Sequence, residues 1–196
     1  MLAQDASQAP ATAQDTLEQF VAEVSDFSAN FVEVIYDADG QLIEESSGRF
    51  SLLRPGRFLW HYHEPEEFIV VADGEWLWTY DVEWEQATRA PLELDGSPAM
   101  ALLSEGNLGD GFDVDDAPTV DGQNWVELKP HEPNPDFEVA RIAFDDGVPE
   151  SLELLTGLSE LTRIDFDQVE INMGLPREAF DFEPPPGVHV GGLGND

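Results

Sequence analysis

The sequence contains no cysteine, so neither disulfide bonds nor thiolate chemistry is available to the chain. It also contains no apolar run that approaches the ~20 residues of a membrane-spanning helix. A Gly-x-Ser-x-Gly motif and a phosphate-binding glycine-rich loop with its lysine are both missing. Since no specific signal for a nucleophile or a bound phosphate is present, we expect a protein that is not an enzyme and that carries no cofactor.

Basic residues are scarce as well. Only 8 lysine and arginine residues stand against 42 aspartate and glutamate residues, the net charge is -34, and Lys129 is the single lysine. This charge repels nucleic-acid phosphates and anionic membranes, so we expect neither nucleic-acid binding nor stable membrane insertion. The acidic residues are spread along the chain, and molar salt would screen their mutual repulsion. We therefore hypothesise a halophilic source.

The length of 196 residues and the hydrophobic content of 41% suit one domain with a single core. The first residues lack the basic and apolar regions of a signal peptide, and the polar stretch Ala3–Gln14 is typical of a mature start left after cleavage. A cytoplasmic protein would look the same here. We predict a disordered mature N-terminus over 1–14, one domain over 15–190 and a flexible tail over 191–196.

Periodicity predicts one long helix followed by a hairpin. Between Asp15 and Val32, apolar residues recur at the spacing of one helix face, and Asp15 or Thr16 is able to cap the start. From Phe31 onward the period changes to two. A turn at Asp37–Gly40 then leads to a predicted return strand at Gln41–Leu53.

Two later strands carry aromatic side chains at every second position, so each set of rings lies on one face of its strand. The rings are Phe58, Trp60 and Tyr62 on the first strand, and Trp76, Trp78 and Tyr80 on the second. Such segments are typical of an antiparallel meander with a ring-rich face. The residues alone allow two interpretations, an ordinary core beneath the helix or a concave ligand pocket, and composition favours the core.

The second half of the chain predicts a short helix and then more strands. The helix is expected at Ser97–Ser104, and the acidic stretch Gly106–Gly122 is expected to be a mobile connection. Further strands are predicted at Trp125–Leu128, Glu138–Phe144, Ser151–Leu155 and Leu161–Val169. With the earlier segments this makes roughly nine to eleven strands, as expected for a meandering sheet.

Two groups of residues suggest metal ligands. His61 and His63 lie two apart on a strand, on the face opposite the rings of Phe58 and its neighbours, so we interpret them as surface histidines. The acidic loop residues Asp113, Asp115 and Asp116 lack the glycine and the terminal glutamate of a calcium-binding loop. We therefore predict no metal site.

One block of the sequence resembles a known family. The segment Arg54-Pro55-Gly56-Arg57-Phe58-Leu59-Trp60 is followed by Asp73-Gly74-Glu75-Trp76-Leu77-Trp78-Thr79-Tyr80-Asp81 and then by Glu85-Gln86-Ala87-Thr88. This order resembles the signature of the outer-membrane lipoprotein carrier family, LolA. The end of the chain from Asn172 to Val190 is similar to the same family, and so is the order of elements along nearly the whole sequence.

The resemblance implies an α+β fold, in which an unclosed antiparallel β-barrel carries an N-terminal helix and short helices that form a lid over an apolar cavity. It also implies a monomeric periplasmic chaperone without catalysis. Such a carrier binds lipoprotein acyl chains and shuttles them from an inner-membrane lipoprotein-releasing ABC transporter to an outer-membrane receptor. An outer-membrane lipoprotein receptor, or a lipid-sensing regulatory domain with the same half-barrel fold, is the alternative.

The resemblance also assigns roles to individual residues. Arg54 corresponds to the family arginine that holds the lid closed through hydrogen bonds to backbone carbonyl groups of the lid. The residues expected to line the acyl-chain cavity are Phe50, Phe58, Trp60, Tyr62, Trp76, Trp78, Met100 and Leu103.

Overall fold

The computed structural model describes residues 12–92, 111–120, 122–133 and 137–192, which form one α-helix, twelve strands and one 3-10 turn. The helix is α1 (Ala13–Glu23) and the 3-10 turn is Arg177–Phe180. The strands are β1 (Asp26–Tyr36), β2 (Leu42–Leu53), β3 (Arg57–Glu64), β4 (Phe68–Asp73), β5 (Trp76–Asp81), β6 (Gln86–Pro91), β7 (Phe112–Val120), β8 (Gln123–Pro130), β9 (Val139–Asp145), β10 (Val148–Leu155), β11 (Leu161–Ile171) and β12 (His189–Gly192). Within these residues, no helix is long and apolar enough to cross a membrane.

Helix α1 begins and ends earlier than the sequence predicts. Thr12 caps it: the Thr12 hydroxyl accepts a hydrogen bond from the Asp15 N–H, and the Asp15 carboxylate accepts one from the Thr12 N–H. The expected continuation to Val32 is wrong, because Phe27 and Phe31 lie on β1. A spacing of four residues puts two side chains on one side of a helix and also on one face of a strand, so these phenylalanines fit both patterns.

The strands form one sheet in the order β12-β6-β5-β4-β3-β2-β1-β11-β10-β9-β8-β7. Every neighbouring pair is antiparallel except β12 and β6, which run parallel. In the part of the chain that is described, no ladder joins the two edge strands β7 and β12. The expected unclosed antiparallel sheet is thus confirmed, in a protein that is mostly β-structure with one described α-helix.

The acidic connection predicted over Gly106–Gly122 contains β7, which pairs with β8. Phe112 and Val114 alternate with Asp113 and Asp115, so the first part of this strand has an apolar face although its composition is acidic. The helix predicted at Ser97–Ser104 lies outside the described residues. The predicted division of the chain into a disordered N-terminus over 1–14, one domain over 15–190 and a flexible tail over 191–196 remains a prediction.

One face of the sheet, here called the inner face, packs against α1 and carries the main core. Phe58 and Trp60 from β3 belong to the same buried cluster as Val126 and Leu128 from β8. These strands are far apart in the sheet order, so the sheet must curl for their side chains to meet. Helix α1 contributes Leu17, Phe20 and other buried residues to this cluster and contacts β7, β8 and β9.

Candidate functional site

A continuous row of aromatic rings crosses the inner face of β1, β2 and β3. Phe27 and Phe50 are completely buried, with 6.0 Å between their ring centroids. Phe50 then contacts Trp60 at 4.5 Å, and Trp60 contacts Phe31 at 5.2 Å. Because these rings fill the space beneath one another, this part of the inner face is a packed core.

Gly48 allows the row to continue from β1 to β3. It pairs with Phe31 on one side and with Tyr62 on the other, and the two rings meet above it with centroids 5.0 Å apart. A Cβ atom at this position would lie 2.0 Å from the carbonyl oxygen of His61. The glycine is therefore required by the close approach of β2 and β3.

The inner face is less completely covered farther along the sheet, on β3, β4 and β5. There Tyr62, Phe68, Val70 and Leu77 are only partly buried by the described residues. Met100 and Leu103, which are expected to line the acyl-chain cavity, lie outside the described residues. The structure thus brings Phe50, Phe58, Trp60 and Tyr62 together, whereas their role in binding acyl chains remains a prediction.

Arg54 lies in the connection between β2 and β3 and contacts the end of α1. Its Nη1 donates a hydrogen bond to the backbone oxygen of Val24, and its Cζ lies 5.2 Å from the centroid of the Phe20 ring. The Nε and Nη2 atoms are buried and have no hydrogen-bond partner among the described residues. Burial lowers the pKa of Arg54 from 12.5 to about 10, so the side chain remains charged at neutral pH.

A pocket of about 330 Å³ lies at the opposite end of the inner face from Arg54. Tyr62, Phe68 and Val70 form its apolar wall. The remaining lining residues are polar or acidic, except for Pro65: Glu33, Glu44, Ser46, Glu64, Glu66, Glu67 and Asp81. The apolar surface therefore ends at an acidic opening.

Glu33 is a partly buried acidic residue of this pocket. Its carboxylate accepts a hydrogen bond from the Ser46 hydroxyl at 3.2 Å and one from the Tyr62 hydroxyl at 3.4 Å. Burial raises the pKa of Glu33, and the two hydrogen bonds only partly oppose this effect. Burial also raises the pKa of Tyr62, and the nearby charge of Glu33 adds to the increase.

Trp76 and Trp78 do not face the same side as Trp60. The ladders pair Trp60 with Val70 and Val70 with Thr79, so the inner-face residues of β5 are Leu77, Thr79 and Asp81. Side chains alternate along a strand, and the two tryptophans therefore lie on the opposite side, here called the outer face. The expectation that they line one cavity with Trp60 is wrong.

The outer face has a small aromatic cluster of its own. The Arg89 guanidinium lies over both tryptophans, with its Cζ 4.4 Å from the Trp76 ring centroid and 5.4 Å from that of Trp78. Phe182 contacts Trp78 and Tyr80 at 5.5 and 5.7 Å. The C-terminal segment thus covers this face, a packing role that the sequence reasoning missed although Phe182 stands in a recognisable apolar, proline-rich stretch.

The histidines and acidic residues that suggested metal ligands make local contacts. His61 lies on the outer face, as predicted from its position, and its Nε2 is 2.9 Å from a carboxylate oxygen of Glu67. Asp113 is 2.9 Å from the Nε2 of His131. Among the described residues, no group of three or more potential ligands could hold a metal ion.

Comparison with known proteins gives a consistent result. The profile of a family described as "Outer membrane lipoprotein carrier protein LolA" matches residues 22–183. An outer-membrane lipoprotein carrier protein of Halorhodospira halophila is 39% identical over 176 residues, which cover 89% of this chain and 83% of that protein. One of Methylococcus capsulatus is 35% identical over 187 residues, covering 94% and 90%.

Solved structures support the same fold. A LolA superfamily protein from Nitrosomonas europaea has a TM-score of 0.50 at 13% identity, covering 88% of this chain and 98% of that chain. A conserved protein from Thermus thermophilus has a TM-score of 0.58 at 13% identity, covering 92% and 98%. At this identity the likeness concerns the fold alone.

Proposed function

The chain belongs to the LolA family of outer membrane lipoprotein carrier proteins, and we propose that it holds the acyl chains of its lipoprotein cargo on the inner face of β3, β4 and β5. The protein is a lipoprotein carrier. The observation that carries the proposal is the partly covered apolar surface formed by Tyr62, Phe68, Val70 and Leu77, which adjoins the packed aromatic row. Acyl chains bind to an apolar surface of this kind because contact with it removes them from water.

A carrier must also release its cargo. Each buried methylene contributes about 0.8 kcal/mol, so several acyl chains would bind too tightly for transfer unless binding displaced existing contacts. We propose that the segment over Ser97–Ser104, with Met100 and Leu103, is the lid that makes those contacts in the empty protein. Cargo then replaces the lid on the same apolar surface, and the competition weakens net binding.

Arg54 is proposed to hold this lid closed. Its Nε and Nη2 are buried donors without a partner among the described residues, and buried donors normally have one. Backbone carbonyl groups of the lid would satisfy them. The planar guanidinium suits this role because it stays charged and can donate several hydrogen bonds at once.

The cellular route follows from the family. We propose a periplasmic location, with cargo received from an inner-membrane lipoprotein-releasing ABC transporter and delivered to an outer-membrane receptor. We propose that the carrier acts as a monomer without catalysis. A receptor or a lipid-sensing domain with the same fold is not favoured, since the relatives share their description as carriers.

The acyl site is tested with an apolar fluorescent probe and two adjacent substitutions on β4. Val70 lies on the inner face, whereas its neighbour Ile69 lies on the outer face, and both are partly buried. Val70→Glu is expected to weaken probe binding at least tenfold, and Ile69→Glu to leave it unchanged. Equal affinity in the two variants would contradict the site.

The latch is tested by cargo transfer. Arg54→Leu removes the proposed lid contacts, so the empty closed state loses stability and cargo release to a receptor becomes slower. Arg49→Leu is the matched control, because Arg49 lies on the outer face and pairs with Glu170. Transfer by Arg54→Leu at the parent rate would contradict the latch.

A further inference from the structure

The alternation of side chains along β1 places a carboxyl group at the end of the apolar row. Phe27, Ala29 and Phe31 lie on the inner face and are at most 2% exposed, and the next inner-face residue is Glu33. One step of two residues along a strand is about 6.6–6.8 Å. Trp60 and Tyr62 cover Phe31, so an apolar chain that lay on the partly covered surface of Tyr62, Phe68 and Val70 would meet Glu33 beside the Tyr62 hydroxyl group.

The hydrogen bonds of Glu33 hold its carboxyl group inside the pocket. Ser46 approaches it from β2 and Tyr62 from β3, so the group is held from two strands on one side of β1. On the other side, Glu33 pairs with Ile164 of β11, whose buried side chain offers no polar partner. The carboxyl group is thus a fixed polar feature of the inner face and differs from the exposed rim residue Glu64.

We propose that Glu33, held by Ser46 and Tyr62, is a polar stop that limits the length of acyl chain this carrier accepts. The proposal rests on the acyl site proposed above and adds a specificity-determining residue to it. A methylene that binds on the partly covered apolar surface of β3, β4 and β5 strengthens binding about fourfold. A methylene that reaches Glu33 adds little to the binding free energy, because it would further desolvate a carboxyl group that is already incompletely hydrated.

The raised pKa of Glu33 is consistent with this position, since burial is its main cause. Beyond Glu33 the pocket is lined by Glu44, Glu66 and other acidic residues, so its lining changes from apolar to acidic at this point. Tyr62 belongs to both regions. Its ring packs on Phe31, and its hydroxyl group bonds to Glu33.

The experiment uses neutral 1-monoacylglycerols with saturated chains of eight to eighteen carbons, which displace a fluorescent probe from the full chain. For the parent protein, affinity is expected to rise about fourfold per methylene and then to become constant at a limiting length. In Glu33→Leu the limiting length is expected to increase, with at least fourfold tighter binding of the first chain beyond the parent limit. Glu64→Leu, on the exposed rim, is expected to keep the parent limit.

The same limiting length in Glu33→Leu and in the parent would overturn the stop, as would parent affinity that rises over the whole series. Glu33→Met, with an unbranched apolar side chain of similar size, gives a second test should the leucine variant fail to fold. If no monoacylglycerol displaces the probe from the parent, the acyl site itself fails. If the chains bind but the substitutions leave the limit unchanged, only the stop fails.

Discussion

The guanidinium of Arg54 lies over the ring of Phe20, with 5.2 Å between Cζ and the ring centroid. Through this contact a loop between two strands holds the only α-helix among the described residues against the sheet. The hydrogen bond from Arg54 to the Val24 backbone oxygen joins the same two parts. The residue proposed to hold the lid therefore also has a structural role that can be measured separately.

Arg54→Lys keeps the positive charge but loses the planar group that lies over Phe20. Cation–π contacts contribute about 0.5–2 kcal/mol, depending on burial, so we expect the free energy of unfolding to fall by about that amount. Denaturant titration measures it. Arg49→Lys, on the outer face, serves as the control and should change stability by less than about 0.5 kcal/mol. An Arg54→Lys variant as stable as the parent would contradict the contact.

Gly48→Ala should be strongly destabilising, because the added Cβ would lie 2.0 Å from the His61 carbonyl oxygen and force β2 away from β3. Overpacking of this kind costs about 1–3 kcal/mol, as measured by thermal or denaturant unfolding. Gly191→Ala is the matched control, because a Cβ there meets no atom within 4 Å. Similar losses in both variants would argue against the close approach.

Stability should depend on pH through Glu33. Burial raises the pKa of this carboxyl group above its ordinary value of 4.5, so the folded protein binds the proton more tightly than the unfolded chain. The contribution to stability is full below pH 4.5 and is lost as the pH rises through the raised pKa. Glu33→Gln removes this loss, so the variant should gain stability relative to the parent as the pH rises above 4.5.

The neighbouring groups define the control for that experiment. Ser46 and Tyr62 donate to Glu33, Glu44 adds a like charge, and Ile164 faces it from β11. Glu64→Gln is the control, because it changes the net charge by the same amount as Glu33→Gln but lies on the exposed rim of the pocket. Denaturant titrations across the pH range should show a stability difference for Glu33→Gln that varies with pH more than the difference for Glu64→Gln.

Trp78→Ala should loosen the C-terminal segment without affecting the inner face. Trp78 contacts Phe182 and Arg89 on the outer face, and each aromatic pair contributes about 0.5–1.5 kcal/mol. We expect faster amide hydrogen exchange in β12 and unchanged affinity for an apolar probe. Trp84→Ala is the control, since Trp84 is 74% exposed. Weakened probe binding in Trp78→Ala would mean that this tryptophan contributes to the acyl site.

Salt should stabilise the folded protein. With a net charge of -34, self-repulsion is strongest at low ionic strength, and the screening length falls from about 30 Å at 0.01 M to about 3 Å at 1 M. Thermal unfolding should shift to higher temperature as NaCl rises over this range. A melting temperature that falls with salt would contradict the hypothesis of adaptation to high salt.

Much of the fold was predictable from the order of residues. The turn at Asp37–Gly40, the ring-bearing strands and the strands of the second half follow from period-two alternation and turn residues, which act over a few positions. Alternation could not distinguish helix from strand at Phe27 and Phe31, because a spacing of four satisfies both. It also missed β7, because its aspartates Asp113, Asp115 and Asp116 are typical of a loop.

The candidate site shows most clearly what the sequence could not predict. The sequence determines that Phe58, Trp60 and Tyr62 share one face of their strand, and that Trp76, Trp78 and Tyr80 share one face of theirs. Whether the two faces coincide depends on the register between strands, and a shift of one residue reverses every side chain. Here the Asp73 carboxylate accepts hydrogen bonds from the N–H groups of Glu75 and Trp76 and fixes the turn.

The tertiary structure thus decided that Trp60 faces the core while Trp76 and Trp78 lie on the outer face, where Trp78 contacts the C-terminal segment. It also brought Glu33 of β1 next to Ser46 and Tyr62, which lie 13 and 29 residues away in sequence. Local spacing carries no information on such contacts, because they arise only when separate strands are aligned. The sequence by itself determined which side chains share one face of a strand, and the register of the sheet decided which of them come into contact.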